Sequence, residues 1–291
     1  MQRFADIGCA AYLTKPVRTR ELLDCLRRAL SHDAQDWHMH SQPIITRGTL
    51  VATEIKRKYA GNVLLVEDNP INQRVARRFL ERLGCDVQVV DDGAQAVEAF
   101  ERAVAERVEA RHAVAFSSGT AGLHAAAAVS GLGPGDVVAT PSLSFAASAN
   151  CARYVGAEVT FVDIDEGTLN LDPEAVPPVD ALVAVHFAGL PVDLTRLAHR
   201  PRVVIEDAAH AFGAVGPDGP VGNCARSDLC VFSFHPVKTI TSAEGGMVTT
   251  NSDELADRLR RFRNHGIDRS APTDPWAYDI AELGFNYRLS D

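Results

Sequence analysis

The chain has no long apolar run, no paired cysteine motif and no excess of positive charge, and each absence argues against one class of function. No stretch approaches the ~18 consecutive apolar residues of a membrane span, and no apolar leader follows Met1, so we expect a cytoplasmic protein with no membrane partner. The cysteines form no Cys-x-x-Cys pair, which argues against a zinc site or a disulfide framework. Lys and Arg total 29 against 38 for Asp and Glu, and this net charge of -9 argues against a nucleic-acid partner.

Residues 61–102 have the pattern of a strand, a helix, a second strand and the start of another helix. The apolar run VLLV predicts a buried parallel strand, which ends in Glu67 and Asp68. An amphipathic helix over 71–83 stops at Gly84, and DVQVV predicts the next strand. Open α/β sheets bind ligands at the carboxyl ends of their strands, and carboxylates suit hard cations, so Glu67 and Asp68 predict a Mg²⁺ site.

Two segments of this first part resemble response-regulator receiver domains, which are flavodoxin-like. VLLVEDNPINQ resembles the opening of such a domain, and GCAAYLTKPVRTRELLDCLRRAL resembles the end of one. The resemblance implies a C-terminal receiver fragment over 1–32, a linker over 33–60 and an N-terminal fragment of a second receiver over 61–102. Glu67 and Asp68 then match the metal-binding acids, and Lys15 matches the phosphate-sensing lysine. No residue matches the phosphate-accepting aspartate, so remnants of a fusion are favoured over a working phosphorelay.

From residue 103 the sequence alternates strands and helices to its end, and the join lies inside a helix-like stretch. The run HAVAF is followed by Ser117–Ser118–Gly119–Thr120 and an Ala-rich helix. A strand, a small-residue turn and a helix start present free backbone N–H groups and the positive end of a helix dipole, which predicts an anion site. The later Gly-rich stretch at 131–136 lacks a following Lys and precedes a strand, so we interpret it as a helix stop and turn.

Two more apolar runs end in chemically active residues. Asp207 ends VVIED with His210 three residues on, and Ser233, His235 and Lys238 lie at and just beyond the end of the next apolar run, in VFSFHPVK. A carboxylate, a lysine and an anion nest at strand ends are the groups that pyridoxal phosphate needs for its ring nitrogen, its aldehyde and its phosphate. For any one of these residues alone, a helix cap or a surface ion pair is the alternative.

These motifs together resemble the DegT/DnrJ/EryC1/StrS family of sugar-nucleotide aminotransferases. The motifs that carry the resemblance are, in order, SSGTAGLH, SFAASANCARYVGAEVTFVDID, EDAAHA, FSFHPVKTITSAEGGMVTTN, RNHGI and LGFNYRLSD. The resemblance covers 103–291 and implies the large domain of a fold type I PLP-dependent transferase, an α/β fold with a mostly parallel sheet and helices on both faces. Relative to the family we expect this domain to be truncated at its C-terminus and to lack the usual N-terminal segment.

The resemblance also assigns roles to individual residues. Lys238 matches the Schiff-base lysine that moves the proton, and Asp207 matches the acid that faces the pyridine nitrogen. The other matching cofactor contacts are Gly119, Thr120, Ala121 and Ser233 at the phosphate, Phe145 stacked on the ring, His210 at the ring, and Asn286 at the phosphate of a neighbouring subunit. Phe145 has the alternative of a core residue, and His186 and His235 are either near the site or satisfied core histidines. Asn286 implies a homodimer with shared active sites.

The implied reaction moves an amino group from a donor such as glutamate to a UDP-linked 4-keto-6-deoxy sugar, with pyridoxal 5′-phosphate as cofactor and ping-pong kinetics. The combination of SFAASANCARY, GNCARSD and FHPVKTIT is most similar to the branch that forms UDP-4-amino-4,6-dideoxy-N-acetyl-altrosamine on the route to pseudaminic acid. Two alternatives stay open. One is a receiver-linked signalling fusion with a non-catalytic aminotransferase scaffold, and the other is a chimeric product with no activity as a unit.

Overall fold

The computed structural model describes residues 11–12, 45–46, 61–268 and 276–289. Lys15 and most of the segments 1–32 and 33–60 lie outside the described residues, apart from two short paired strands, β1 (Ala11–Tyr12) and β2 (Ile45–Thr46). The chain divides into two compact units, residues 1–92 and 93–291. Within the described ranges, no helix is long and apolar enough to cross a membrane.

The first unit contains the predicted strand, helix and strand. β3 (Gly61–Val66) and β4 (Cys85–Val90) pair in parallel, with helix α1 (Pro70–Leu83) between them in the chain. The side chain of Asn69 caps α1 by accepting hydrogen bonds from the first-turn N–H groups, and Pro70 fits the first helical position. The helix ends at Gly84, whose φ of 95° is the left-handed conformation that glycine adopts without strain.

The second unit is built on a seven-stranded sheet. Its strands are β5 (His112–Phe116), β6 (Val137–Pro141), β7 (Glu158–Val162), β8 (Ala181–Val185), β9 (Val203–Asp207), β12 (Leu229–Ser233) and β13 (Gly246–Thr250). The spatial order is β5-β13-β12-β9-β8-β6-β7, and only β13 runs antiparallel to its neighbours in this sheet. Short hairpin strands, β10 (Val215–Gly216) with β11 (Gly219–Pro220) and β14 (Ile267–Asp268) with β15 (Asp279–Ile280), complete the described strands.

Helices cover both faces of this sheet, as the fold prediction requires. The α-helices among the described residues of this unit are α2 (Gly93–Val108), α3 (Gly119–Val129), α4 (Ala147–Tyr154) and α5 (Asp253–Phe262). Alternate strand residues face opposite ways. In β12, Leu229 and Val231 pack in a cluster with α3, α4 and α5, whereas Cys230 and Phe232 pack in another cluster with α2. The predicted mostly parallel α/β fold is therefore confirmed.

Helix α2 runs without a break through the join predicted at residue 103. Its apolar residues Val97, Phe100, Val104 and Val108 pack against the sheet, and the Phe100 ring lies 5.3 Å from that of Phe234. The compact unit begins at Gly93, so the N-terminal half of α2, which the sequence analysis assigned to a receiver fragment, packs with the second unit. The boundary itself stays a prediction.

The carboxyl ends of the parallel strands meet at one edge of the sheet. β5 leads to Ser118, β6 to the segment around Phe145, β9 ends in Asp207 and β12 ends in Ser233. The antiparallel strand β13 begins at the same edge, where Gly246 pairs with both Phe116 and Ser233. A Cβ on Gly246 would lie 2.4 Å from the Ser118 carbonyl group, so this position accepts only glycine and brings the α3 N-terminus onto the sheet.

Candidate active site

A cavity of about 670 Å³ lies at this carboxyl edge of the second unit. It falls in the size range of small-molecule and cofactor pockets. Its walls include every predicted cofactor residue except Ala121 and Asn286, namely Gly119, Thr120, Phe145, Asp207, His210, Ser233 and Lys238. The structure therefore brings together residues that are widely separated in the sequence.

The N-terminus of α3 forms one end of this cavity. The Ser118 hydroxyl caps the helix by accepting a hydrogen bond of 3.1 Å from the backbone N–H of Ala121. That bond satisfies the backbone N–H of Ala121, whereas the other N–H groups of a first turn have no partner inside the helix. A Cβ on Gly119 would lie 2.9 Å from the Cβ of Ser233, so the missing side chain lets the helix start pack on the end of β12. Free N–H groups, a hydroxyl and the helix dipole together make an anion site.

Asp207 is the buried carboxylate of the site, with 6% of its surface exposed. One oxygen, Oδ2, accepts a hydrogen bond of 2.6 Å from the Ser148 hydroxyl. The other, Oδ1, accepts one of 3.2 Å from the backbone N–H of Ala209. Both bonds hold the carboxylate in a fixed orientation, which suits a partner for a protonated ring nitrogen.

Lys238 and His210 are in direct contact at the cavity wall. The Lys238 Nζ lies 2.7 Å from the His210 Nε2. A lysine ammonium only donates, so this arrangement requires Nε2 to be the unprotonated nitrogen of the ring. The pKa of His210 lies below its usual value because of burial and, second, the positive charge of Lys238, with the Asp207 charge acting in the opposite direction.

The structure decides the alternatives left open for three other residues. Phe145 is 77% exposed and lines the cavity, so the core interpretation of this residue is wrong. His235 also lines the cavity with its side chain 47% exposed, so it is not a core histidine either. His186 is 1% exposed, and its ring bonds Glu206 through Nε2 at 2.8 Å and accepts from the Val192 N–H through Nδ1 at 3.0 Å. This histidine is a satisfied core residue that borders the cavity.

Asn286 does not line the cavity. It is exposed, and its backbone bridges to Asn264. Its neighbours Phe285 and Tyr287 pack with stacked rings 5.0 Å apart. Because alternate residues of an extended segment point to opposite sides, burial of the two aromatic side chains turns Asn286 outward.

Three further polar residues at this site, Ser144, Ser148 and Glu244, were not predicted from the sequence. Ser144 and Glu244 line the cavity, and Ser148 lies behind Asp207. Ser144 precedes α4, which begins at Ala147, so helical spacing gives no signal for its contact with Ser148. The pair becomes informative only with the position of Asp207.

The predicted metal site at the end of β3 has no support from the described residues. The Glu67 Oε1 accepts hydrogen bonds from the Asn69 backbone N–H at 3.1 Å and from the Asn72 Nδ2 at 3.2 Å. These bonds, with that from Asn69 the larger cause, lower the pKa of Glu67. In the part of the chain that the structure describes, no three His, Cys, Asp or Glu side chains are grouped to hold a metal ion.

The residues around the cavity fit pyridoxal phosphate. The close approach of Gly119 to Ser233 leaves a cradle that a Cβ would fill, with first-turn N–H groups and a hydroxyl as donors for a phosphate. Asp207 supplies a buried anion and Lys238 an amine on the same cavity wall. Phe145 supplies an exposed aromatic face there.

Comparison with known proteins agrees with this donor set. The family model of DegT/DnrJ/EryC1/StrS aminotransferases matches residues 85–291. A UDP-4-amino-4-deoxy-L-arabinose–oxoglutarate aminotransferase of Shewanella sediminis is 37% identical over 206 residues, which cover 66% of this chain and 52% of the relative.

Solved structures are similar to the same part of the chain. PseC of Helicobacter pylori, an aminotransferase of pseudaminic acid biosynthesis, is 30% identical with a TM-score of 0.61, over 66% of this chain and 53% of that protein. Spr1654 from Streptococcus pneumoniae, solved in its PLP form, is 27% identical with a TM-score of 0.59, over 67% of this chain and 55% of that protein. The chain thus spans about half the length of the relatives it matches. With the family match over 85–291, it belongs to the DegT/DnrJ/EryC1/StrS aminotransferase family.

Proposed function

We propose that this protein is a PLP-dependent aminotransferase that aminates a nucleotide-linked keto sugar. The observation that carries the proposal is that Lys238, Asp207 and the α3 N-terminus all border one cavity at the carboxyl edge of the sheet. An amine, a buried carboxylate and an anion nest in one cavity match the three polar parts of pyridoxal phosphate. The relatives named above support the same reaction class.

When bound, pyridoxal phosphate supplies an aldehyde that takes up amino groups and a ring that accepts electrons. Lys238 would provide the amine that holds the cofactor and would move the proton. Asp207 would stabilise the protonated ring nitrogen. Phe145 would offer its aromatic face to the ring, and Gly119, Thr120 and Ser233 would hold the phosphate. His210 accepts the Lys238 hydrogen bond when the amine is free, which orients the amine toward the cavity.

The substrate part of the proposal is a UDP-linked 4-keto-6-deoxy sugar of the pseudaminic acid type, with glutamate as the amino donor, in the cytoplasm. Support comes from PseC, which takes part in pseudaminic acid biosynthesis, and from the curated relative, whose name specifies an oxoglutarate couple. A UDP-linked 4-amino-arabinose precursor is the competing substrate, because the curated relative is named for that product.

Absorbance spectroscopy tests the cofactor proposal. Purified protein mixed with pyridoxal phosphate should develop a Schiff-base band that borohydride removes, and mass spectrometry should place the reduced adduct on Lys238. Lys238→Ala should show neither result, because the sequence from 93 to 291 contains no other lysine that could take its place. A wild-type chain without an adduct would overturn the proposal. Pyridoxamine phosphate formation from glutamate, and its discharge by each keto sugar, would then rank the substrates.

The proposal includes a homodimer in which Asn286 reaches the cavity of the partner chain. Its support is the outward position of Asn286, close in the chain to the exposed apolar residues Trp276, Tyr278, Ile280 and Leu283. Mixed dimers of Lys238→Ala and Asn286→Ala chains should regain activity, since one site of such a dimer has both native residues. Failure of the mixture to exceed the two separate variants, with dimers present by light scattering, would exclude shared sites.

A phosphorelay role is the second candidate. The parallel pair β3 and β4 joined by α1 is the observation that favours it. Because no residue matches the phosphate-accepting aspartate, incubation with acetyl phosphate and Mg²⁺ tests whether any carboxylate of the chain forms an acid-labile phosphoprotein. The absence of labelled protein would leave the aminotransferase as the sole candidate activity.

A further inference from the structure

A chain of two hydroxyl groups ends on the Asp207 carboxylate. The Ser148 Oγ donates to the Asp207 Oδ2 at 2.6 Å, and the Ser144 Oγ lies 2.7 Å from the Ser148 Oγ. Ser148 is fully buried near the start of α4, whereas Ser144 borders the cavity. Among the described residues, Ser148 is the one hydroxyl bonded to Asp207.

The direction of both hydrogen bonds follows from the donors available. A serine hydroxyl has one hydrogen, and an ionised carboxylate only accepts. Because Ser148 gives its hydrogen to Asp207, it has only lone pairs left for Ser144, so Ser144 is the donor of the second bond. Hydrogen bonds aligned head to tail polarise one another, which strengthens the bond at the carboxylate.

The other polar neighbours cannot replace this bond. Burial and, second, the Asp207 charge raise the pKa of the Cys151 thiol to about 12, so this neighbour is uncharged at neutral pH. The thiol donates to the Ser148 carbonyl oxygen at 3.1 Å and not to Asp207. The Ala209 N–H holds only the Oδ1, so Ser148 alone fixes the position of Oδ2.

We propose that Ser148, supported by Ser144, is a positioning residue that holds the Asp207 carboxylate in the orientation needed to meet the protonated ring nitrogen of the cofactor. This inference rests on the proposed function. Ser148 acts through Asp207 and touches neither cofactor nor substrate. Its contribution should therefore depend on the ring nitrogen and on no other part of the cofactor.

The test compares two probes, pyridoxal phosphate and its analogue with CH in place of the ring nitrogen. Ser148→Ala should weaken pyridoxal phosphate binding about 10-fold, because a hydrogen bond to a charged group is lost. The analogue, which has no ring nitrogen, should bind wild type and Ser148→Ala equally. Ser148→Thr should restore the affinity for pyridoxal phosphate, and Ser144→Ala should give a smaller loss than Ser148→Ala.

The outcomes separate the two proposals. If wild type forms no borohydride-fixed adduct with either probe, the aminotransferase assignment fails and the role of Ser148 fails with it. If wild type binds both probes but Ser148→Ala weakens both equally, or neither, the positioning role alone is overturned. Thermal unfolding of each variant shows directly whether it is folded. If Ser148→Ala does not fold, Ser144→Ala, which removes a hydroxyl that is not fully buried, gives the same comparison of the two probes.

Discussion

The carboxylate of Glu101 accepts a hydrogen bond of 2.8 Å from the backbone N–H of Ala115, on the free edge of strand β5. Arg263 completes the arrangement, because its Nη1 donates to the same Glu101 oxygen at 2.5 Å and to the Ala115 carbonyl at 2.8 Å. An ion pair thus takes the place of a neighbouring strand. Edge strands with unpaired backbone groups invite intermolecular pairing, and this ion pair satisfies the N–H and the carbonyl group of Ala115.

Replacing Glu101 by Ala should lower the free energy of unfolding by about 3 kcal/mol, since it leaves Arg263 half-paired and an edge N–H without an acceptor. The side chains of Arg263 and Glu101 are only 18% and 12% exposed, so solvent compensates little. Urea unfolding followed by circular dichroism measures the change. Glu101→Gln, which retains an acceptor but no charge, is the matched control and should lose less. Equal losses of unfolding free energy in both variants would show that the charge of Glu101 does not contribute to stability.

Gly119→Ala should weaken pyridoxal phosphate binding by at least about tenfold, because its Cβ would lie 2.9 Å from the Ser233 Cβ and push the two halves of the anion cradle apart. Gly133→Ala is the matched control in the same unit, since its Cβ would meet only the Val155 carbonyl at 3.9 Å. Equilibrium titration of the Schiff-base band gives both affinities. Similar affinities for the two variants would show that Gly119 is not part of the phosphate cradle.

Lys238→Met should raise the pKa of His210, because the positive charge that disfavours the imidazolium is gone. The value should remain below that of an exposed histidine, since burial is the larger cause of the lowering. NMR titration of ring-labelled histidine without cofactor measures it, with His235→Gln used for assignment. An unchanged or lower His210 pKa would contradict the contact seen between the two side chains.

Folding stability should decrease as the pH falls below about 6.5, with His124 as one contributor. Burial lowers the pKa of His124, whose Nδ1 lies 3.1 Å from the Tyr287 hydroxyl. The unfolded chain then binds more protons than the folded chain between the lowered and the ordinary pKa, so acid favours unfolding in that window. His124→Gln should flatten the dependence of Tm on pH, and Tyr287→Phe, which leaves the titrating ring in place, should retain it. An unchanged slope in His124→Gln would exclude this residue as a contributor.

The ends of the strands were predictable from the sequence, whereas the contacts between side chains at different strand ends were not. Asp207 and Ser233 could be placed at the carboxyl edge because apolar runs stop at them, and parallel strands end at one edge. Ser148 lies 59 positions from Asp207 in the chain, and no local pattern reports a bond of that kind. Phe145 shows the limit of hydrophobicity as a guide, since its exposed ring fits a cofactor face and not the core.

The sheet on which α2 packs could not be predicted from the sequence for a similar reason. Its sequence up to residue 102 follows the receiver-like pattern, and its amphipathic spacing is compatible with packing on any sheet. Only the contacts of Phe100 and Glu101 show which sheet it covers. The tertiary contacts thus show on which sheet α2 packs, a point that the periodicity of its sequence leaves open.

The continuity of α2 determines where the chain can be cut. A protein started at residue 103 would retain the last part of the helix but lose Val97, Phe100 and Glu101. It would expose both an apolar patch and the backbone of β5, the two ingredients of strand-to-strand aggregation. A shortened protein that keeps the whole of α2 on the sheet therefore has to begin at or before Gly93, within the segment that resembles a receiver domain.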